Sequence, residues 1–185
     1  MKNIAILASG SGTNAQKIME YFQQSPKARI VLLASNKKDA YALERAKLFD
    51  VPTAVFSKKE MENGGLLELL RLRQVDLLVL AGFLLKIPRE LIREFRGEIV
   101  NIHPALLPGY GGKGMYGMNV HRAVKEAGEH ETGITIHLVN ENYDEGKIVF
   151  QAAVPIAEGD SPEQIAEKVH ELEHKYYPNV IESLI

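Results

Sequence analysis

Five short apolar runs in the first hundred positions leave this chain few ways to fold. They are NIAILA at 3–8, RIVLLAS at 29–35, TAVF at 53–56, DLLVL at 76–80 and IVNI at 99–102. Each is too short for a buried helix, and most lack the polar alternation of a strand with one wet face. Between them, residues 13–24, 39–49, 66–73 and 89–95 carry apolar positions three and four apart, the spacing of a helix with one buried side. Asp39 is placed to cap the second of these helices and Pro88 to start the fourth. Parallel strands can be joined only by a crossover, so the alternation predicts an open, doubly wound α/β sheet, mostly parallel and Rossmann-like, with helices on both faces.

After residue 103 the rhythm breaks. Residues 104–118 (PALLPGYGGKGMYGM) hold five glycines and two prolines and read as a long loop; a loop that long inside a compact domain is usually functional or disordered. A helix near 120–127 follows. Residues 133–140 and 147–155 then alternate as an antiparallel hairpin, turning around Asp144-Glu145-Gly146. Ser161 and Gln164 form a capping-box pattern with Pro162 at the first helical position, and Ile165, Val169, Leu172 and Tyr176 mark the buried stripe of a last helix. The 185 residues suit one domain with two halves, 1–103 and 104–185.

Composition removes several classes of function. A net charge of −2 provides no global field for nucleic acid or an anionic membrane. The absence of cysteine excludes disulfides, thiolate metal sites and a Cys nucleophile. No apolar stretch is long enough for a signal peptide or a membrane span, so a soluble, cytoplasmic protein is expected.

Two polar features interrupt this frame. The first is Gly10-Ser11-Gly12-Thr13-Asn14-Ala15, between the first strand and the first helix. The start of a helix offers free N–H groups to an anion, and the run satisfies G-x-G-x-x-A. A phosphate monoester, a dinucleotide and a ligand-free tight turn all fit it. Against the dinucleotide, the second strand ends Ser35-Asn36-Lys37-Lys38, with no acid for a ribose hydroxyl. The second feature is Asn101-Ile102-His103, whose polar side chains share one side of an extended strand. His137 on the hairpin and Asp144 in its turn can join them. An amide, an imidazole and a carboxylate suffice for oxyanion stabilisation and proton transfer. Spacing alone also allows a structural His137 and an ordinary hairpin turn at Asp144.

Taken in order, SGSGTN, LAGF at 80–83, NIHPALLP at 101–108, ITIHLVNENYDEG at 134–146 and EHKYYP at 173–178 resemble the folate-dependent phosphoribosylglycinamide formyltransferases across the whole chain. The NIHPxLLP run is shared with methionyl-tRNA formyltransferases and formyltetrahydrofolate hydrolases, which carry an extra domain. The resemblance implies that Asn101, His103 and Asp144 are the catalytic set. Gly12, Thr13 and Asn14 would hold the ribonucleotide phosphate, with His170 and Glu173 near its glycinamide and ribose. Folate would lie along Leu84, Leu85, Lys86 and Ile87, with its pterin against Asn140, Glu141, Asn142, Tyr143 and Asp144 and with Lys59 as a basic contact. His137 would support the set from behind. The co-substrate implied is 10-formyltetrahydrofolate with no metal, and the protein a monomer or homodimer. A formyltransferase for another amino-sugar nucleotide and a dinucleotide-binding domain remain as alternatives. Two segments depart from the family pattern: Lys86 stands near where an arginine is common, and residues 110–120 are longer and richer in glycine.

Overall fold

A computed structural model describes all residues, 1–185. Fourteen elements follow in the order β1 (Lys2–Leu7), α1 (Thr13–Phe22), β2 (Ala28–Ser35), α2 (Tyr41–Lys47), β3 (Thr53–Val55), α3 (Lys58–Glu62), α4 (Gly65–Leu72), β4 (Leu77–Leu80), α5 (Arg89–Glu94), β5 (Ile99–His103), α6 (Met118–Glu126), β6 (Glu131–Leu138), β7 (Ile148–Pro155) and α7 (Pro162–Ser183). One sheet takes all seven strands in the order β3-β2-β1-β4-β5-β6-β7. The first five are parallel, while β6 runs antiparallel to both β5 and β7. The expected α/β architecture, with its C-terminal hairpin and last helix, is the one found. No helix is long and apolar enough to cross a membrane.

The sheet divides the core in two. Side chains of α1, α2 and α7 pack on one face with Ile4, Ile6, Val79, Val100 and Ile102. Met61 of α3, Leu66 and Leu70 of α4 and Leu91 of α5 pack on the other with Ala5, Leu7, Leu78, Leu80 and Ile99. The alternation along β5 explains the placement of its polar residues. Its even positions enter the first core, and Ile99, Asn101 and His103 face the other way.

Two local expectations need correction. Asp39 does not cap α2; Ala40 is the N-cap, without a side-chain cap. The Ala42 N–H near that helix start instead donates to the Gly10 carbonyl at 3.1 Å. The short helix α3 was not foreseen, although Ser57 and Glu60 form a complete capping box there. At the other end, Ser161 and Gln164 make the expected box with Pro162 behind it. Helix α7 continues through a buried Pro178 and turns Glu173 and Tyr177 inward, one turn apart. Tyr177 is fully buried, and its hydroxyl lies 2.9 and 3.2 Å from the carbonyl oxygens of Leu80 and Val100. One side chain thus ties α7 to the end of β4 and to the second residue of β5.

Candidate active site

Three chain segments leave the carboxyl ends of β1, β4 and β5 and border one cavity of about 570 Å³. Its lining includes residues 10–14, 80–87 and 101–104, with the turn after β6 and one flank of α7 completing the wall. Strand order reverses between β1 and β4, the place where open α/β sheets bind ligands.

The glycine loop is held from behind by α2. Carbonyls of Gly10 and Ser11 accept from Ala42 N–H and Arg45 Nε, at 3.1 and 2.8 Å. Gly12 has φ +75°, and a Cβ there would lie 2.5 Å from that of Ala42. Its glycine is therefore demanded by helix packing, whereas Gly10 has open space around it. With the carbonyls used by α2, the unpaired N–H groups of the first turn of α1 remain for a ligand. Asn14 Nδ2 donates to Glu173 Oε2 at 2.9 Å, and His170 Nδ1 meets the same oxygen at 2.8 Å. Glu173 is only 4% exposed, so these two partners satisfy a buried carboxylate. Its hydrogen bond raises His170 above the ordinary histidine range against the opposing effect of burial. The end of β2 carries no acid, and Asn36 accepts from Ser9 Oγ at 2.6 Å. That arrangement leaves the dinucleotide alternative without its ribose contact.

At the end of β5, four polar side chains converge. Asn101 and His137 are register partners, and Asn101 Nδ2 lies 3.1 Å from His137 Nε2. His137 Nδ1 lies 3.1 Å from the Leu138 carbonyl, which only an N–H can satisfy. Nε2 faces Asn101, and since that contact can engage at most one of the two Nδ2 hydrogens, Asn101 keeps a free amide N–H. The turn after β6 folds back so that Asp144 lies 3.6 Å from His103 Nδ1 and 3.5 Å from His137 Nε2. Gly146 permits this fold, since a Cβ there would overlap the Leu138 carbonyl at 1.6 Å. Asp144 Oδ2 also accepts from the Gly112 N–H at 2.9 Å, which joins the long loop to the site. Thr135 and Gln151 hold the chain beyond His103 through Ala105 and Leu107, at a cis Leu107-Pro108 bond.

His103 is a contest between burial and partners. Its Nε2 faces the Tyr110 carbonyl at 2.8 Å and its Nδ1 faces Asp144, so only the imidazolium can donate to both. Burial is nevertheless the largest influence, and the ring sits below its ordinary pKa despite Asp144 and Tyr110. Asp144 alone therefore does not hold the ring charged, contrary to the simple expectation for an adjacent carboxylate. Burial pushes Asp144 up, but contact with His137 and the Gly112 N–H outweighs it, and the carboxylate is favoured.

The cavity gathers most of the expected folate segment: Leu84, Leu85, Lys86, Ile87, Asn140, Asn142 and Tyr143. Lys86 Nζ sits 5.3 Å from the centre of the Tyr143 ring at the mouth. Lys59 and Glu141 do not line the cavity. Helix α3 buries Met61, and two residues back along a helix is about 200° round it, so Lys59 points to solvent. Glu141 pairs with Arg89 at 3.0 Å. Sequence reasoning missed His121, Met115, Tyr116 and Lys113, which also line the cavity. For His121 the only signal was its place beside Val120 in the buried stripe of α6.

The family model for formyl transferase matches residues 2–181. This chain belongs to the formyl transferase family. Relatives named phosphoribosylglycinamide formyltransferase include one from Bacillus subtilis, 39% identical over 191 residues, covering 100% of this chain and 95% of the relative. A chloroplastic one from Arabidopsis thaliana is 44% identical over 187 residues, covering 97% of this chain. The chain spans only 64% of that plant protein's own length. Among solved structures, glycinamide ribonucleotide transformylase 1 from Geobacillus kaustophilus superposes with a TM-score of 0.91 at 38% identity, covering 100% of this chain and 98% of the other.

Proposed function

We propose that this formyltransferase moves the formyl group of 10-formyltetrahydrofolate to the amine of 5-phosphoribosylglycinamide, a step of purine synthesis, in the cytoplasm. The observation that carries the reading is the convergence of Asn101, His103 and Asp144 in a cavity that also takes in the start of α1. The lining supports this reading on both sides. Its α1 side offers helix N–H groups for a phosphate, and Glu173 can accept from ribose hydroxyls. Its other side supplies apolar surface from Phe83, Leu84, Leu85 and Val139 for a flat ring system.

The acceptor amine resembles an α-amino group, with an ordinary pKa of about 7.7–8.0, and attacks the formyl carbon only as the free base. Attack places negative charge on the formyl oxygen. Asn101, oriented by His137, directs its free N–H there, and His103 adds a second donor. The lowered pKa of His103 serves this step. The ring is largely uncharged before reaction, and the proton that the attacking amine gives up can pass by way of Asp144 to its Nδ1, which then donates to the oxyanion. Charge then appears where the transition state requires it, which is differential binding. Collapse breaks the bond from the formyl carbon to the folate nitrogen, which leaves with a proton. That proton returns from His103 by way of Asp144 to the departing nitrogen, so the ring and the carboxylate both end as they began.

Absorbance during conversion of 10-formyltetrahydrofolate to tetrahydrofolate, with and without the ribonucleotide, tests the reading. Turnover only with the ribonucleotide is expected. Equal turnover without it would mean a hydrolase.

A further inference from the structure

His121 has no part in the scheme above, yet its position is hard to account for by folding. It lies on α6, is 3% exposed and lines the cavity. Its Nδ1 has neither a hydrogen-bond partner nor contact with solvent. Leaving a buried polar atom unpaired costs about 1–3 kcal/mol, and native structures keep few such atoms without a use. The packing of α6 does not need an imidazole. Val120 and Val124 anchor this helix against Ala105, just beyond His103.

The protonation state follows from the surroundings. Burial lowers the pKa of His121, as do the nearby rings of His170 and His103, with Glu173 opposing. The ring is therefore neutral near pH 7. A neutral imidazole carries one N–H and one bare nitrogen. Burying the bare nitrogen costs less than burying an unpaired N–H, because a donor without a partner is the rarer state in proteins. Nδ1 is thus the bare one, and Nε2 carries the proton as a donor. His121 lines the same cavity as His170 and Glu173 of α7 and His103 of β5.

We propose that His121 is a specificity-determining residue for the acceptor, with Nε2–H donating to the carbonyl oxygen of its glycinamide arm. The proposal rests on the acceptor being phosphoribosylglycinamide. That arm joins the ribose to the reacting amine, so its carbonyl lies in the cavity that His121 shares with Glu173 and His103. No proton is transferred, because a hydrogen bond suffices to fix which way the amine points.

The test compares wild type with His121→Phe and His121→Gln. Phenylalanine keeps the packing and removes the donor, and glutamine restores an N–H. Loss of one neutral hydrogen bond predicts a KM for the ribonucleotide raised about three- to tenfold in His121→Phe, with partial recovery in His121→Gln. KM for 10-formyltetrahydrofolate should not change. Thermal stability of His121→Phe should equal or exceed that of wild type, since an unpaired polar atom is gone. Binding of ribose 5-phosphate, which lacks the arm, should be the same in all three proteins. An unaltered ribonucleotide KM in folded His121→Phe overturns the proposal, and so does an equal loss of ribose 5-phosphate binding. Should His121→Phe not fold, His121→Gln and the ¹⁵N shift of His121 Nε2 in wild type decide. A shift unmoved by saturating ribonucleotide overturns the proposal. Wild type without ribonucleotide-dependent turnover overturns the functional reading itself, a different result from active wild type with indifferent variants.

Discussion

At residue scale, the proposed function separates groups that would touch the reacting atoms from groups that would aim them. Asn101→Ala, His103→Ala and Asp144→Ala are each expected to lower kcat by at least about 10², the usual loss for an oxyanion donor or general acid–base group. Circular dichroism and melting should stay close to wild type. A folded His103→Ala protein with near-normal turnover would exclude the assignment. Asp144→Asn makes a sharper prediction. Asp144 is the main influence raising the His103 pKa against burial, so its neutralisation should lower the His103 titration midpoint further, as read by the ring proton resonances. Asn101 and His103 were legible in the sequence because their two-residue spacing puts them on one side of a strand whatever the tertiary structure. Asp144 was legible only as a turn residue near His137. Its closeness to His103 depends on Gly146 and on the Gly112 contact, which no local pattern reports.

Among the elements, the clamp of α2 on the glycine loop decides which glycine matters for what. Gly12→Ala meets Ala42 and must hold a left-handed backbone, itself worth about 1–2 kcal/mol. Chemical denaturation should show a loss of at least that size. Gly10→Ala meets nothing within 4 Å and should fold normally. Any fall in its ribonucleotide affinity would then come from the ligand side of the loop. The strands and long helices were readable from apolar runs, periodicity and caps, because those signals are local. Helix α3 also had its local signal in Ser57 and Glu60, and the run between strand and α4 was read past it. The start of α2 was misread for a different reason. Its first turn takes its partner, the Gly10 carbonyl, from thirty-two residues before Ala42, and no acid at the cap was required.

For the whole molecule, histidines set how stability responds to acid. Burial lowers the pKa of His103, His121 and His174, while Glu173 raises that of His170. For the first three, the unfolded chain binds more protons near its ordinary pKa of about 6.5, so stability is full above that pH and falls as acid is added. His170 works in the opposite sense, contributing fully below about 6.5 and losing its contribution as pH rises through its higher folded value. Three against one predicts a lower urea midpoint at pH 5.5 than at pH 7.5. An unchanged or higher midpoint at pH 5.5 would show that the three rings are not held neutral. The doubly wound, mostly parallel sheet was implicit in the strand–helix alternation, whereas its reversal between β1 and β4 is a matter of strand order that the alternation leaves open. The folding of α6 and α7 over the cavity was not, since it is fixed by contacts between distant segments.

The hydroxyl of Tyr177 has a consequence for the size of the acceptor. It fastens α7 to the last carbonyl of β4 and to the Val100 carbonyl of β5, one helical turn from Glu173 and one residue from Asn101. Under the proposed function, both ends of the acceptor site are thereby referred to a single fixed point. The distance between them is a gauge built into the backbone, and an acceptor whose arm is longer or shorter by one bond would bring its amine past the amide of Asn101 or short of it.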